Sequence, residues 1–389
     1  MLKAVLFDMD GVLLDTERLH YQANIRAMKE LGQTLSWDYY KQFIGTTLTY
    51  MWETIQKDYH LSWSLEELRK LGDSKKKEIL QEEGYPIIDG AAEFVGRLKE
   101  DGLLLALASS STPEAISDNL KALGVEECFD QVVSSFEVEH RKPAPDVFLE
   151  AARRLGVKPE ECIVIEDTFY GLSAGKSAGM TCIGFKNPNS GDQDLSNADY
   201  LLEFPGEEEA YFREELNGDF LRKIHAHALG YPWIAGKGNR VYLREMQKSE
   251  LGSLEKIFGQ GRDFSSNWKK DIEFSFDKES LSSYISHVYS FYEYGYYLLC
   301  RREDGRILGL CGLSNQGKRV YLGYYLLPEN RGMGYGQEGV KLVMDLAKRE
   351  ELKEIYCRIR RDNEKSRKLA KAVGFQELQQ EAEVFFCKL

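Results

Sequence analysis

Asp8 and Asp10 sit two residues apart in Phe7-Asp8-Met9-Asp10-Gly11-Val12, directly after the apolar run Leu2 to Phe7. Two carboxylates at that spacing, at the carboxyl end of a buried strand, point the same way out of a sheet edge. One can attack phosphorus while the other manages the leaving group's proton, with a divalent cation held between them. Surface loops are full of such pairs, but this one has a lead-in that is apolar apart from Lys3, and it has partners downstream. Ser109, in Leu107-Ala108-Ser109-Ser110-Ser111, ends a second apolar run, where a hydroxyl and exposed backbone N–H groups can bind phosphate oxygens. Lys142, in Arg141-Lys142-Pro143-Ala144-Pro145, offers a cation to a transferring phosphoryl group. The prolines after it fix the loop and start the next helix. Glu166-Asp167 close the run Cys162–Ile165 and add carboxylates for a hard cation such as Mg2+.

A second anion site is written into Arg331-Gly332-Met333-Gly334-Tyr335-Gly336, which follows the β-run Tyr321–Leu327 and opens an amphipathic stretch to Arg349. Glycines there let backbone N–H groups face an anion at a helix N-terminus, where the dipole also favours negative charge. Gly334 to Gly339 also satisfies the dinucleotide fingerprint GxGxxG. That fingerprint needs an acidic residue ending the next strand, whereas Glu354 precedes its strand.

The elements that must carry these groups fall into two kinds. Up to about Phe204, apolar runs (Leu2–Phe7, Leu103–Ala108, Gln131–Ser134, Cys162–Ile165, Thr181–Phe185) alternate with helices such as Ala91–Asp101 and Pro145–Leu155. That alternation predicts βαβ units and a doubly wound parallel sheet. Residues Asp15 to Pro86 break it with an all-helical insert, read as a lid. The stretch 206–239 turns acidic and ends in Gly230-Tyr231-Pro232-Trp233, which reads either as a linker or as the last helix of the first domain. From Arg240 the chain changes to long β-runs (Tyr296–Arg301, Ile307–Ser314, Lys318–Leu327) joined at Glu303-Asp304-Gly305 and Gln316-Gly317. A helix Gly336–Arg349, a strand Glu354–Ile359 and a helix Glu364–Ala372 follow.

At 389 residues, two domains are the natural expectation. A net charge of −12 argues against a nucleic-acid partner. The seven cysteines show no CxxC spacing and read as reduced core residues of a cytoplasmic protein. No apolar run is long enough to span a membrane, so no membrane partner is expected.

Asp8, Asp10, Ser109, Lys142 and Glu166-Asp167, in this order, resemble the haloacid dehalogenase-like (HAD) phosphatase superfamily over residues 1–205, with the helical cap at about 15–86. The resemblance implies that Asp8 is the nucleophile, forming an aspartyl-phosphate, and that Asp10 is general acid, then base. It makes Ser109 and Lys142 phosphate binders. It makes Asp167 and Glu166 ligands of Mg2+ beside Asp8 and the backbone carbonyl of Asp10. The substrate is then a small phosphorylated metabolite, with Asp15 to His20 and the cap loop Gly45-Thr46-Thr47 against its leaving group. His20 has two open readings, such a contact or a solvent-facing residue. β-Phosphoglucomutases share much of this pattern, but they carry an arginine where Leu48 stands, which favours a phosphatase over a sugar phosphomutase.

Arg331, Gly334 and Gly336, with Asn363-Glu364-Lys365-Ser366 and Gly374-Phe375, resemble the GNAT superfamily over residues 240–389, nearest its RimJ/RimL branch of N-acetyltransferases. The resemblance implies an α+β acyltransferase domain using acetyl-CoA and an amine acceptor. The pyrophosphate would rest on the N–H groups of residues 332–336, including Gly332, and the pantetheine would pair near Leu326 and Leu327. Many relatives place a tyrosine proton donor where Ala370 stands, leaving Glu338 or a nearby tyrosine as candidates. The alternative is a second module that binds acetyl-CoA without catalysis.

Overall fold

The structure, a computed structural model, describes residues 1–44, 46, 48–203, 212–213, 216–259, 275, 277–291, 294–378 and 384–389. It divides into two compact units, Met1–Gly230 and Tyr231–Leu389.

The first unit is built on a parallel sheet of β1 (Ala4–Phe7), β2 (Leu104–Ser109), β3 (Gln131–Ser134), β4 (Cys162–Glu166), β5 (Thr181–Lys186) and β6 (Tyr200–Glu203). Their order is β3-β2-β1-β4-β5-β6, all pairs parallel. Strand residues alternate between faces. Ala4, Leu6, Ala106, Ala108 and Val164 pack with helices Asp146–Leu155 and Phe169–Ser177 on one side. Val5, Phe7, Leu105, Leu107, Ile163 and Ile165 pack with Ala91–Glu100, Pro113–Leu123 and Gly218–Ala228 on the other. Both faces of β1 are therefore dry, which is why its sequence reads as unbroken apolar rather than alternating.

β6 has no counterpart among the sequence expectations. It is an edge strand with three of its four residues exposed, so the apolar signal is missing. The stretch 206–239 is not a plain linker. Helix Gly218–Ala228 buries Leu221 and Ile224 in the first unit's core, and β7 (Ile234–Lys237) pairs in the second unit's sheet.

The insert after β1 consists of helices Thr16–Glu30, Trp37–Tyr40, Leu48–Asp58 and Leu65–Glu83, with a short 3-10 turn Lys41–Phe43. Ser36 and Ser64 cap two of them, Ser64 through a reciprocal capping box with Glu67. A private core of Met28, Tyr40, Phe43, Met51, Trp52, Ile55 and Leu68 holds the cap together. Gly72 permits close helix packing, since a Cβ there would lie 3.1 Å from the Trp52 ring. Both connections are tied: Asp15 N–H donates to Pro86 O at 2.8 Å and Ile88 N–H to Leu13 O at 3.0 Å.

The second unit is a mixed sheet ordered β13-β14-β12-β11-β10-β9-β8-β7. Beyond β7 its strands are β8 (Val241–Arg244), β9 (Tyr296–Arg301), β10 (Ile307–Gln316), β11 (Arg319–Leu326), β12 (Glu354–Arg358), β13 (Gln376–Glu377) and β14 (Val384–Lys388). All pairs are antiparallel except β11 with β12, which run parallel and meet at a single register, Tyr321 opposite Tyr356. Helix Tyr335–Arg349 makes the crossover between them and buries Gly336, Gly339, Val340, Val343 and Leu346. Six of the seven cysteines are buried. No helix among the described residues is long and apolar enough to cross a membrane.

Candidate functional site

Register explains why the distant motifs of the first unit converge. Phe7 of β1 stands level with Leu107 of β2 and Ile165 of β4, so Asp8 emerges beside Ala108 and Glu166 at the carboxyl edge of the sheet. The chain also reverses its direction of travel across the sheet between β1 and β4, the point where open α/β sheets leave a crevice.

Asp8 is 6% exposed, and Lys142 reaches it across that crevice. The Lys142 ammonium donates to Asp8 Oδ1, to Glu166 Oε1 at 2.8 Å and to Ala108 O at 3.0 Å. Burial works against the charged lysine, yet Asp8 and Glu166 outweigh it and hold the pKa above the ordinary value. Burial raises the Asp8 pKa, with Glu166 and Asp10 adding to the effect and Lys142 opposing it. Asp10 is turned elsewhere: Ser111 Oγ donates to its Oδ2 at 2.8 Å, with Ser109 Oγ at 3.5 Å. Ser109 is fully buried and its Oγ accepts the Ser111 N–H at 3.0 Å, so Ser111 is the hydroxyl nearer the opening.

Among the described residues no three Asp, Glu, His or Cys side chains stand close enough to chelate a metal as they are, because Lys142 lies between Asp8 and Glu166. The donor set nevertheless fits a cation. Asp8, Glu166 and Asp167 are three buried carboxylates, of which Asp8 and Glu166 pair with the ammonium of Lys142, and Asp167 Oδ1 is buried without a partner. Both Glu166 oxygens are engaged, Oε1 by Lys142 and Oε2 by the Thr168 N–H and hydroxyl, each at 2.9 Å. Glu166 is therefore first an anchor for Lys142. Gly11 (φ +83°) lies against Asp167, where a Cβ would come within 1.9 Å of Oδ2.

The cap contributes its own polar face. His20 is half-buried, 3.5 Å from Lys76 of helix Leu65–Glu83. Burial, then Lys76, pushes His20 down to about 3. Glu17 is pushed up to about 7 by burial and by Asp10 and Asp15, with Lys76 opposing. Thr46 caps its own turn through Phe43 O at 2.7 Å, and Gly45 and Thr47 lie outside the described residues. Sequence reasoning missed Lys76 and Ser111, and named Glu17 only as part of the segment Asp15 to His20. It also missed residues 187–193, whose Asn187, Asn189 and Ser190 reach Gly11 O, Asp15 and Asp167.

In the second unit the loop after β11 is exposed, with Gly332 at φ +80° and Gly334 at φ +82°, a region that favours glycine. Gly336 serves packing, since a Cβ would lie 3.3 Å from Leu326 Cδ1. Arg331 Nε donates to Leu326 O at 3.0 Å. Leu327 is not free to donate: its N–H goes to Leu308 O at 3.0 Å, while its carbonyl, which accepts from Asn330 N–H at 2.9 Å, keeps a second lone pair. Glu338 is not placed as a proton donor either. Its Oε1 accepts the Arg240 and Val241 N–H groups at 2.7 and 3.2 Å. Burial works the other way, but these bonds hold its pKa below the usual range. Past Tyr321 and Tyr356 the strands part around a cavity of about 80 Å³, lined by Leu322, Tyr324, Cys357, Ile359, Asn363 and Ser366. Tyr324 OH and Ser366 Oγ are 2.9 Å apart in it, and burial raises the tyrosine. Asn363 caps helix Glu364–Ala372 by accepting the Ser366 N–H at 3.1 Å.

Comparison with known proteins matches residues 5–185 to the sequence model of haloacid dehalogenase-like hydrolases and residues 240–376 to that of the acetyltransferase (GNAT) domain. The chain is 33% identical over 220 residues to the Bacillus subtilis protein YhcW, covering 56% of this chain and 99% of that one. It is 34% identical over 181 residues to the phosphorylated carbohydrates phosphatase of Thermotoga maritima, covering 46% and 82%. It is 30% identical over 212 residues to protein CbbY of Rhodobacter capsulatus, covering 52% and 92%.

Proposed function

The chain belongs to the haloacid dehalogenase-like hydrolase family and carries an acetyltransferase (GNAT) domain, and from that premise we propose a two-module enzyme. The first module hydrolyses a small phosphorylated metabolite through an aspartyl-phosphate on Asp8. The observation that carries this reading is the division of labour between two neighbouring carboxylates: Asp8 is buried against Lys142, whereas Asp10 is held away from it by Ser111. Asp8 attacks phosphorus, and Lys142 and the Ser109–Ser111 loop take the charge on the phosphoryl oxygens. Asp10 gives a proton to the departing oxygen and later accepts one from the attacking water. Asp8, Asp167 and, after Lys142 shifts, Glu166 would hold Mg2+, which supplies charge neutralisation at the phosphoryl group. A phosphorylated carbohydrate suits the polar cap face of Glu17, His20 and Lys76, and the Thermotoga relative is named for such substrates. Leu48, 44% exposed at the start of its cap helix, gives a second phosphate no cation, which favours hydrolysis over a phosphomutase.

The second module transfers acetyl from acetyl-CoA to an amine. The glycine loop at residues 332–336 takes the pyrophosphate, the parted edge of β11 takes the pantetheine near Leu326, and the Tyr324–Ser366 pair protonates the leaving thiolate. A non-catalytic acetyl-CoA sensor would keep the loop but not need the hydroxyl pair. The test is a phosphate-release screen across phosphorylated metabolites, with Mg2+ or EDTA, beside a thiol-release assay with acetyl-CoA and an amine panel. Absence of both activities in folded protein would reject the proposal.

A further inference from the structure

Residues 187–193, the loop leaving β5, touch both the cap and the carboxylate Asp167. Asn187 Nδ2 donates to Gly11 O at 3.0 Å, fixing the loop between Asp10 and the cap. Asn189 Nδ2 donates to Asp15 Oδ2 at 2.6 Å, at the first of the two connections on which the cap is hung. Ser190 Oγ donates to Asp167 Oδ2, the partnered oxygen of a carboxylate whose other oxygen is buried without a partner. Gln193 Oε1 accepts the Phe169 N–H at 3.1 Å, two residues past Asp167, and its Nε2 donates to Ser190 O at 3.0 Å. The loop is also internally fixed: Asn189 N–H donates to Asn187 Oδ1 at 2.8 Å and Ser190 N–H to Asn187 O at 3.1 Å. Asn187 and Ser190 are 4% and 2% exposed, so these bonds are made out of water, where losing one costs most.

The remaining contact is with the cap. Gly191 adopts φ +73°, and a Cβ built on it would lie 3.1 Å from Cδ1 of Ile44, with Ile44 Cβ and Cγ2 at 3.7 Å. Ile44 belongs to the cap, next to the 3-10 turn Lys41–Phe43. Its side chain therefore rests on the bare backbone of the residue directly after Ser190. A glycine lets the cap approach at this point where any side chain would hold it off.

We infer that residues 187–193 couple cap closure to the metal-holding carboxylate: Ser190 is a positioning residue for Asp167, and Ile44 seated on Gly191 favours the loop conformation in which Ser190 makes that bond. The inference rests on the phosphatase reading of the site. Coupling of this kind is reciprocal, so a change in the cap alters cation affinity and a cation favours the closed cap. The chemistry served is completion of the cation site only once the cap covers the substrate.

The test uses the full chain as wild type, Ser190→Ala, Ser190→Thr, Ile44→Ala and the Ser190→Ala/Ile44→Ala double variant. The main readout is the Mg2+ concentration giving half of the maximal rise in thermal midpoint, without substrate. The second is kcat and KM for p-nitrophenyl phosphate. Loss of a hydrogen bond that orients a metal ligand typically weakens the metal about 10- to 100-fold, and Ser190→Ala should shift the Mg2+ midpoint by about tenfold or more. Ser190→Thr keeps the hydroxyl and should restore the response to within about threefold of wild type. Ile44→Ala, which touches no ligand, should shift the midpoint by about threefold, and in the Ser190→Ala background it should add nothing. An Ile44→Ala response equal to wild type, or fully additive effects in the double variant, would overturn the coupling while leaving the phosphatase intact. A folded wild type that neither responds to Mg2+ nor releases phosphate would overturn the site reading together with the inference.

Discussion

Lys142→Met separates the structural work of this buried lysine from the phosphate binding proposed for it. Methionine keeps an unbranched stem over the Phe148 ring, 4.8 Å from the present ammonium, and removes only the charge. The ammonium is 6% exposed, donates to Asp8 Oδ1, and lies 2.8 Å from Glu166 Oε1 and 3.0 Å from Ala108 O. At an effective dielectric near 20, attraction across the 2.8 Å contact is about 6 kcal/mol before desolvation is charged against it. Breaking a buried pair from one side leaves the other charge uncompensated and costs about 3–5 kcal/mol net. For a unit of this size that corresponds to a fall of about 6–20 °C in thermal midpoint in EDTA. Millimolar Mg2+ should recover more of that loss in the variant than it adds to the wild type, because the freed carboxylates are then available to a cation. Phosphatase activity should stay down at least about 100-fold in saturating Mg2+, since no cation remains on the transferring phosphoryl group. Differential scanning fluorimetry with and without Mg2+, beside a phosphate-release assay, reads all three. A variant within about 2 °C of wild type in EDTA would refute the view that Lys142 neutralises the buried carboxylates.

Three further outcomes are expected. Incubation with β-glucose 1-phosphate should yield free phosphate, if any product, and no glucose 6-phosphate by coupled dehydrogenase assay, because Leu48 offers no cation to a second phosphate; isomerisation without phosphate release would contradict this. Gly334→Val forces a β-branched residue into φ +82° and should weaken acetyl-CoA binding at least about tenfold by calorimetry, whereas Arg331→Ala, whose guanidinium already serves Leu326 O, should cost no more than about threefold; the reverse order would reject a backbone cradle. Burial pushes the His225 imidazole down to about 4 beside the Thr181 hydroxyl at 2.9 Å, below its unfolded value. Its contribution to stability is thus present above the unfolded pKa and lost as pH falls from about 6.5 toward 4. His225→Asn should flatten the fall in thermal midpoint over that window, and an unchanged slope would show that the histidine is not its source.

What the sequence carried well was local and periodic. β1, β2, β4 and β5 are buried on both faces, so each appears as an apolar run, and Asp8, Ser109 and Glu166 stand directly after three of those runs. What it carried poorly depends on partners distant along the chain. Ser111, at 2.8 Å, meets Asp10 more closely than Ser109, at 3.5 Å, because the chain turns after β2, which one serine among three cannot reveal. Residues 187–193 are rich in Asn, Ser and Gly and look like a connector, although Asn187 and Ser190 are buried and bonded to Gly11 and Asp167. Leu327 sits at the end of an apolar β-run, but its amide is committed to Leu308 rather than to an open edge. Glu338 stands one turn into a glycine-opened helix and looks available, yet Arg240 and Val241 occupy it. Helix Gly218–Ala228 lies within a stretch whose acidic composition leaves a linker and a last helix both open, and the burial of Leu221 and Ile224 in the first unit favours the helix.

The proposed mechanism makes Asp8 the covalent nucleophile of the first module. An acyl-phosphate is reduced by borohydride to the corresponding alcohol, so an aspartyl-phosphate caught during turnover becomes homoserine at that position. The measurement is peptide mass spectrometry after rapid quench of enzyme, Mg2+ and its best phosphorylated substrate into borohydride, with Asp8→Asn as the control. Homoserine is expected at residue 8, dependent on substrate and absent in the variant. Conversion at Asp10 instead, or none during demonstrated turnover, would contradict it.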